Sequence, residues 1–366
     1  MTENQEPIMI NSGQFPCPNC GAFMKYSPGT GGLSCEYCGT EVDITKDDSE
    51  IKEYRFDTLD ELSNHHWNDD KRVIKCESCS GETIIRMNEI TKACVFCGSA
   101  QVVTEALDEG IPPESLIPFM VTRAAARADI KRWVSGKFYA PKALKELDKL
   151  DKLISLYMPY FTFDSDTSTF YIGQKGTHYY VTRTKIVDGK TKTVREQRTR
   201  WRHVEGVYKH DFDDTLIHAT SKLDQKLIQS MKSFDLKALE TYQEEYLIGH
   251  QAERYTVKLT DAWDEAKSEM KQVIYQGIRN QVGGDEFRLT HHTTDYGEPY
   301  FKHILLPIWI TTYQYKNKTY PVYINGQTGH VVGEYPKSLI KILLTVLGFV
   351  GTAIIIYLLI NSGVFQ

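Results

Sequence analysis

Apolar residues recur at three- and four-residue intervals over Val121–Ser135, and a similar spacing runs over Pro141–Tyr157, with Gly136 and Pro141 between the two. That period predicts two helices. Past Tyr157 the pattern changes to alternation rich in Tyr, Thr and Val, the signature of strands. Asp188-Gly189 interrupts it between His178–Val187 and Thr191–His203, a dipeptide suited to closing a hairpin. Leu223–Gly249 and Asp261–Val282 return to helical spacing, and Tyr300–Tyr335 returns to alternation with turns at Lys316-Asn-Lys318 and Asn325-Gly326.

The end of the chain has no period at all. From Ile342 through Phe365 no side chain is charged, and the 19 residues Ile342–Ile360 are apolar but for a few small or aromatic positions. At about 1.5 Å per residue such a helix is about 28 Å long, close to the hydrocarbon thickness of a bilayer. Lys337 and Lys341 precede it and only Asn-Ser-Gly-Val-Phe-Gln follows. The positive-inside bias therefore predicts a single-pass tail anchor in the cytoplasmic membrane, with the bulk of the chain in the cytoplasm. The start of the chain, Met-Thr-Glu-Asn-Gln-Glu, lacks a secretory pattern. Gly348 and Thr352, four residues apart, would let two such helices approach closely.

Composition changes the picture at the front. Across 366 residues the net charge is −5, but Met1–Gly110 carries 9 Lys and Arg against 20 Asp and Glu, a net of −11, and the remainder is +6. All 8 cysteines lie in that acidic part. Cys17-Pro-Asn-Cys20 is followed after 14 residues by Cys35-Glu-Tyr-Cys38, and Cys76-Glu-Ser-Cys79, again after 14, by Cys94-Val-Phe-Cys97. The second unit repeats the first at an offset of 59 residues. Paired Cys-x-x-Cys turns bring four thiolates around one ion, and Zn²⁺ is the metal that four soft ligands in a tetrahedron favour. Rubredoxin-like iron is the metal rival, and redox dithiols fit less well because they come singly in a βαβ setting. Gly21, Gly39 and Gly98 follow the second cysteine of their pairs, where a positive φ is useful; the third pair has Ser80 before Gly81 instead. Two structural Zn²⁺ sites with no open coordination position are the expectation, held by Cys17, Cys20, Cys35 and Cys38 and by Cys76, Cys79, Cys94 and Cys97.

The expected fold class is α+β. It comprises a first zinc ribbon over 1–42, an acidic helical linker over 43–72 with Leu59, Leu62 and Trp67 as anchors, and a second ribbon over 73–110. A helical lead-in over 111–158, a mixed α+β body with antiparallel strands over 159–336 and a transmembrane helix over 339–361 complete it.

One segment is densely basic: Arg183, Lys185, Lys190, Lys192, Arg195, Arg198, Arg200 and Arg202, opposed only by Asp188 and Glu196. In a strand such a run serves as a solvated face; at a membrane it is also a contact for anionic lipid or an acidic protein partner. Tyr179, Tyr180 and Trp201 leave single-stranded nucleic acid as an alternative. The acidic front, made more negative by two Zn(Cys)₄ centres, argues against nucleic acid at the ribbons. His65-His66, His210-Asp211, His218 and His291-His292 are the histidines that could carry chemistry, and His210-Asp211-Phe-Asp213-Asp214 reads as an exposed acidic turn rather than a metal turn. No HExxH, GxSxG or phosphate-binding loop occurs, so no catalysis and no small-molecule substrate are expected.

Taken together, the tandem Cys₄ units, Ile111-Pro-Pro-Glu with Pro118-Phe119, Trp133 and Phe138-Tyr-Ala-Pro141, and the end of the chain form a wider pattern. That end reads Leu305-Leu-Pro-Ile-Trp-Ile, Tyr313-Gln-Tyr, Asn325-Gly-Gln-Thr-Gly-His and Gly333-Glu-Tyr-Pro336-Lys. The pattern resembles bacterial TFIIB-type tandem zinc-ribbon membrane proteins over nearly the whole chain. Members often carry a primosomal or helicase-like label, which the missing phosphate loop does not support. The resemblance implies a membrane-anchored adaptor working with SPFH-like or virion-core-like and phage-shock-A-like proteins in envelope stress or membrane organisation. It supplies metal ligands and no catalytic residues. A membrane-tethered nucleic-acid binder using the ribbons and the basic hairpin is the rival function.

Overall fold

The computed structural model describes residues 15–47, 49–58, 71–76, 82–86, 102–106, 110–141, 144, 153–187, 190–221, 223–231, 234–316 and 318–361. Within them the fold is α+β with mixed strand pairing, four α-helices and a cysteine cluster near the start.

A small antiparallel sheet comes first, β1 (Lys25–Ser27), β2 (Gly32–Ser34) and β3 (Glu41–Val42). Then follow β4 (Tyr54–Arg55), β5 (Lys71–Cys76), β6 (Glu82–Arg86), β7 (Val102–Ala106) and β8 (Ser115–Leu116). Helix α1 (Arg123–Ser135) starts on Thr122, whose hydroxyl accepts from the Ala125 amide, and ends at Gly136 as expected. The two longest strands are β9 (Ile154–Val187) and β10 (Lys190–His218). After them come α2 (Gln225–Ser230), β11 (Glu240–Thr241), β12 (Gln251–Glu253) and α3 (Leu259–Val282). Strands β13 (Glu286–Asp295), β14 (Tyr300–Tyr315), β15 (Lys318–Asn325) and β16 (Val331–Gly333) lead into the terminal helix α4 (Leu339–Asn361).

β9 organises the molecule. At about 3.3 Å per residue its 34 residues have a contour length of about 110 Å. Its first part, Ile154–Asp164, pairs antiparallel with β14; Ser168–Gly176 pairs with β13; and from Tyr160 onward it pairs with β10. The β9–β14 base is buried on both faces. Leu156, Met158 and Tyr160 meet Ile304, Leu306 and Ile308 on one side, against α2. Phe161, Phe163 and Phe301 meet α3 through Ala262, Trp263 and Ala266 on the other. The apolar stripe of α3 then continues as Ile274 and Ile278 against Tyr171 and Tyr208 of the hairpin.

The structure corrects three expectations. Leu223–Gly249 is not one helix: α2 stops at Met231, and the chain continues as two 3₁₀ turns with β11 between them. The Asp224 and Asp235 carboxylates each accept from a nearby backbone N–H and start a separate turn, a local bond that competes with a continuous helix. The described part of the linker is not an α-helix either, its helical content being one 3₁₀ turn at Phe56–Thr58. It is extended and strapped to the body: Tyr54–Arg55 pairs with Tyr300–Phe301, and the Thr241 hydroxyl donates to the Asp47 and Ser49 carbonyls. Finally, the helical pattern drawn to Tyr157 overruns into β9, which starts at Ile154 and carries the lead-in straight into the body. Residues 59–70, with Leu59, Leu62 and Trp67, lie outside the described residues.

The turn at Asn325-Gly326 works differently from its sequence signal. Gly326 does not have a positive φ; Gly329 does, at 76°. A Cβ at Gly326 would sit 2.8 Å from the Phe119 ring and from Pro307, so glycine is required there by packing. The Asn325 carboxamide oxygen accepts from the Gln327 and Thr328 amides and shapes the loop.

α4 is long and apolar enough to cross a membrane, by length and composition, and none of Leu339–Leu358 is buried. β16 runs parallel to β14 and toward its Tyr315 end, so the chain leaves the sheet for α4 at the end where β9 begins. The Lys341 ammonium donates to the Phe138 and Ala140 carbonyls and ties the start of the helix to the segment after α1.

Candidate metal centre and basic arm

Two turns of identical geometry build the first cysteine cluster. Cys17 N–H donates to the Ala22 carbonyl and Gly21 N–H to the Cys17 carbonyl, at 2.7 and 2.9 Å. Cys35 N–H donates to Thr40 and Gly39 N–H to Cys35, both at 2.9 Å. Gly21 and Gly39 have φ of 72° and 74°, and an added Cβ would meet open space, so conformation alone selects glycine at both.

The four sulfurs lie within 4.8 Å of one another, with Cys17–Cys38 at 3.4 Å and Cys20–Cys35 at 3.5 Å. A bonded disulfide needs about 2.05 Å. Four sulfurs at about 2.3 Å from a central Zn²⁺ form a tetrahedron with edges of about 3.8 Å, so the observed cluster has the size of a zinc site. Cys17 and Cys35 are buried and Cys20 and Cys38 exposed. The Thr40 hydroxyl and amide pull the Cys38 thiol down to about 6. Burial raises Cys17, but the Cys20 and Asn19 amides outweigh it and lower the thiol. At Cys20 the Ala22 amide is opposed by the neighbouring sulfurs of Cys38 and Cys35, which push it up to about 12.

This small domain is fixed to the body. The Tyr26 hydroxyl donates to the Phe119 carbonyl at 3.1 Å, and Tyr26 N–H to the Ile248 carbonyl. Met24, Tyr26 and Leu33 share one core with Phe119, Tyr157 and Trp309. Of the second cysteine frame, Cys76 is buried at the end of β5; Cys79, Cys94 and Cys97 lie outside the described residues. β6 joins this region to the main sheet by pairing with β12.

The acidic turn Asp213-Asp214 forms a bulge in β10 that opposes Asp164, with Asp214 in the left-handed region at φ 52°. The buried Lys302 ammonium lies 2.8 Å from both Asp214 and Glu53. Burial works to lower Lys302, but its bonds to Asp214 and Glu53 outweigh it and raise the group above its ordinary value. Burial pushes Asp164 up to about 6, against the Asp214 amide and Lys302. A lysine therefore already supplies the positive charge this turn requires.

Of the histidines weighed from sequence, His218 is buried 3.8 Å from Glu265, His291 and His292 are exposed on β13, and His65-His66 lies outside the described residues. The histidine that stands out is one the sequence reading did not single out. His250 stacks on Phe119 at 4.4 Å and is ringed by Tyr26, Tyr157 and Trp309, and both of its ring nitrogens are buried without a hydrogen-bond partner among the described residues. Burial lowers it to about 3, so it is a neutral core side chain.

The basic segment forms the outer part of the β9–β10 hairpin. Opposed residues of antiparallel strands share a face. The register thus sets Arg183, Lys185, Lys190, Lys192, Arg198, Arg200 and Arg202 at positions of one face, and Arg195 on the other among threonines. Glu196 lies 3.6 Å from Arg183 and 3.8 Å from Arg198. Arg200 covers Tyr179, Arg195 covers Tyr180 and Arg288 covers Trp201, so each ring has a guanidinium over one face.

In comparison with known proteins, the chain is 25% identical over 329 residues to a Bacillus subtilis (strain 168) protein described as uncharacterized protein YdjG, covering 88% of this chain and 90% of that one. No family model matches the chain, and no solved structure matches it either.

Proposed function

We propose that this protein is a membrane-anchored zinc-ribbon adaptor that recruits or organises cytosolic protein partners at the bacterial membrane, in envelope stress or membrane organisation. The observation that supports it is a four-cysteine cluster of the size of a zinc site, docked on a body that ends in an unburied apolar helix. Each centre spends all its ligands on the metal and stabilises a docking surface. The second frame, Cys76, Cys79, Cys94 and Cys97, holds a second Zn²⁺ in this reading. α4 spans the membrane once, with the ribbons and body in the cytoplasm. No chemical step is assigned to the body. The partners are cytosolic scaffolds of SPFH-like or phage-shock-A-like type.

Co-purification from detergent-solubilised membranes tests the reading. The intact chain is compared with a Cys94→Ser, Cys97→Ser variant and a Cys35→Ser, Cys38→Ser variant, each confirmed to remain in the membrane. Loss of one specific protein from either variant is the expected result. Recovery of nucleic acid in its place, or turnover of a substrate by the purified chain alone, overturns it.

A further inference from the structure

The β9–β10 hairpin has two different halves on a single face. Near its base, Tyr171 and Tyr208 are covered by Ile274 and Ile278 of α3. The helix ends at the Lys175–Arg202 rung, where the Lys175 ammonium donates to the Val282 carbonyl at 2.8 Å, a cation at a helix C-terminus. Beyond that rung no helix covers the face among the described residues, and it becomes cationic.

Three properties of the uncovered half narrow its ligand. First, among the described residues β10 pairs only with β9, so its outer edge offers main-chain N–H and C=O groups from Lys190 to about Glu205. An unpaired edge is a template for another strand. Second, its side chains on one face repeat every second residue, about 6.8 Å, and are predominantly cationic. A second copy of β10 would set like charges opposite each other, which is destabilising. Third, the arm points away from the membrane end: the chain leaves for α4 where β9 begins, and Arg183 lies 29 residues further along that strand, about 96 Å. The bilayer that would hold α4 is at the other end.

From these we infer that the outer edge of β10 takes an extended acidic segment of a partner protein as an added strand, its carboxylates at alternate positions meeting Arg198, Arg200 and Arg202. The added strand satisfies the open main-chain edge while its acidic side neutralises the cationic face. The face opposite, carrying Thr193 and Thr199, meets its uncharged side. This rests on the adaptor reading and assigns the partner's recognition element.

The test uses the full chain in phosphatidylcholine nanodiscs at 100 mM salt and fluorescent 12-residue peptides. One alternates Glu and Thr, one has the same composition in two blocks, and one is the alternating peptide methylated at every second backbone nitrogen. The alternating peptide binds at least tenfold more tightly than the other two. Arg198→Glu, Arg200→Glu, Arg202→Glu abolishes that binding, and Thr182→Glu, Thr184→Glu, Thr193→Glu, which sets three carboxylates on the other face, weakens it less than threefold. Equal binding of all three peptides, equal loss in both variants, or tighter binding of a 20-base-pair duplex or phosphatidylglycerol vesicles overturns the inference. Partner co-purification that survives the arginine reversal but fails in the cysteine variants overturns the arm's role and leaves the adaptor reading standing.

Discussion

The Lys302 ammonium on β14 lies 2.8 Å from the Glu53 carboxylate on the strap, joining residues 249 positions apart in the chain. The same ammonium holds Asp214 at the bulge of β10, so one buried cation pins the strap, the central strand and the hairpin together.

Lys302→Met removes that cation and leaves three carboxylates facing one another. Because Glu53 and Asp214 are partly solvated, the expected loss is about 2 kcal/mol, below the figure for a fully buried pair. Glu53→Gln, which keeps a hydrogen-bond acceptor, should cost less than about 1 kcal/mol. Thermal unfolding of the detergent-solubilised chain reads both, and equal melting points for Lys302→Met and the parent would refute the assignment.

Acid should destabilise the body through two buried histidines. Burial lowers His250 to about 3 and His303 to about 4, the latter partly offset by the Ile111 and Pro112 carbonyls. Both are neutral when folded and bind protons when unfolded below about 6.5, so their contribution is lost as pH falls from there toward 4. Asp164, pushed up to about 6, has the opposite sign between about 4 and 6. Near pH 5 these three groups leave a net of about one proton, or about 1.4 kcal/mol per pH unit. His250→Phe should flatten that slope in chemical unfolding between pH 4.5 and 6.

At the metal centre, Gly39→Ala forces a side chain into φ 74° and costs about 1–2 kcal/mol. Zinc should pass to a chromogenic chelator five- to thirtyfold more readily than from the parent. Gly39→Asn should fall between the two, since asparagine tolerates the left-handed region better. Alanine equal to glycine would mean that the turn does not shape the site.

Gly326→Ala tests the loop that supports Phe119. Its Cβ would stand 2.8 Å from a fully buried ring and from a proline, neither of which can yield easily. Overpacking of this kind costs about 1–3 kcal/mol. A paired Phe119→Leu should recover part of it, and a melt of the double variant above that of Gly326→Ala alone would show the rescue.

What could be read from sequence followed local rules. Cys-x-x-C spacing with a following glycine encodes a turn whose geometry is complete within six residues, and Cys17–Ala22 and Cys35–Thr40 adopt it twice. Val187 and Lys190 meet across the Asp188-Gly189 position, and the apolar end forms a helix over Leu339–Asn361. Other features depended on distant partners. The base of β9 is buried on both faces, so its alternation fades and its start carries helical spacing in the sequence. The strap became extended because β14 offers it an edge. Lys302 carried no local sign of its two carboxylates, and His250 none of the four rings around it.

A 34-residue strand behaves as a spar. Charged surfaces lose their influence within about 8 Å at physiological salt, whereas the outer arm lies many such lengths from the end of the sheet that leads to α4. In the adaptor reading, anything gripped there would be handled electrically out of earshot of the lipid headgroups while remaining mechanically tethered to them.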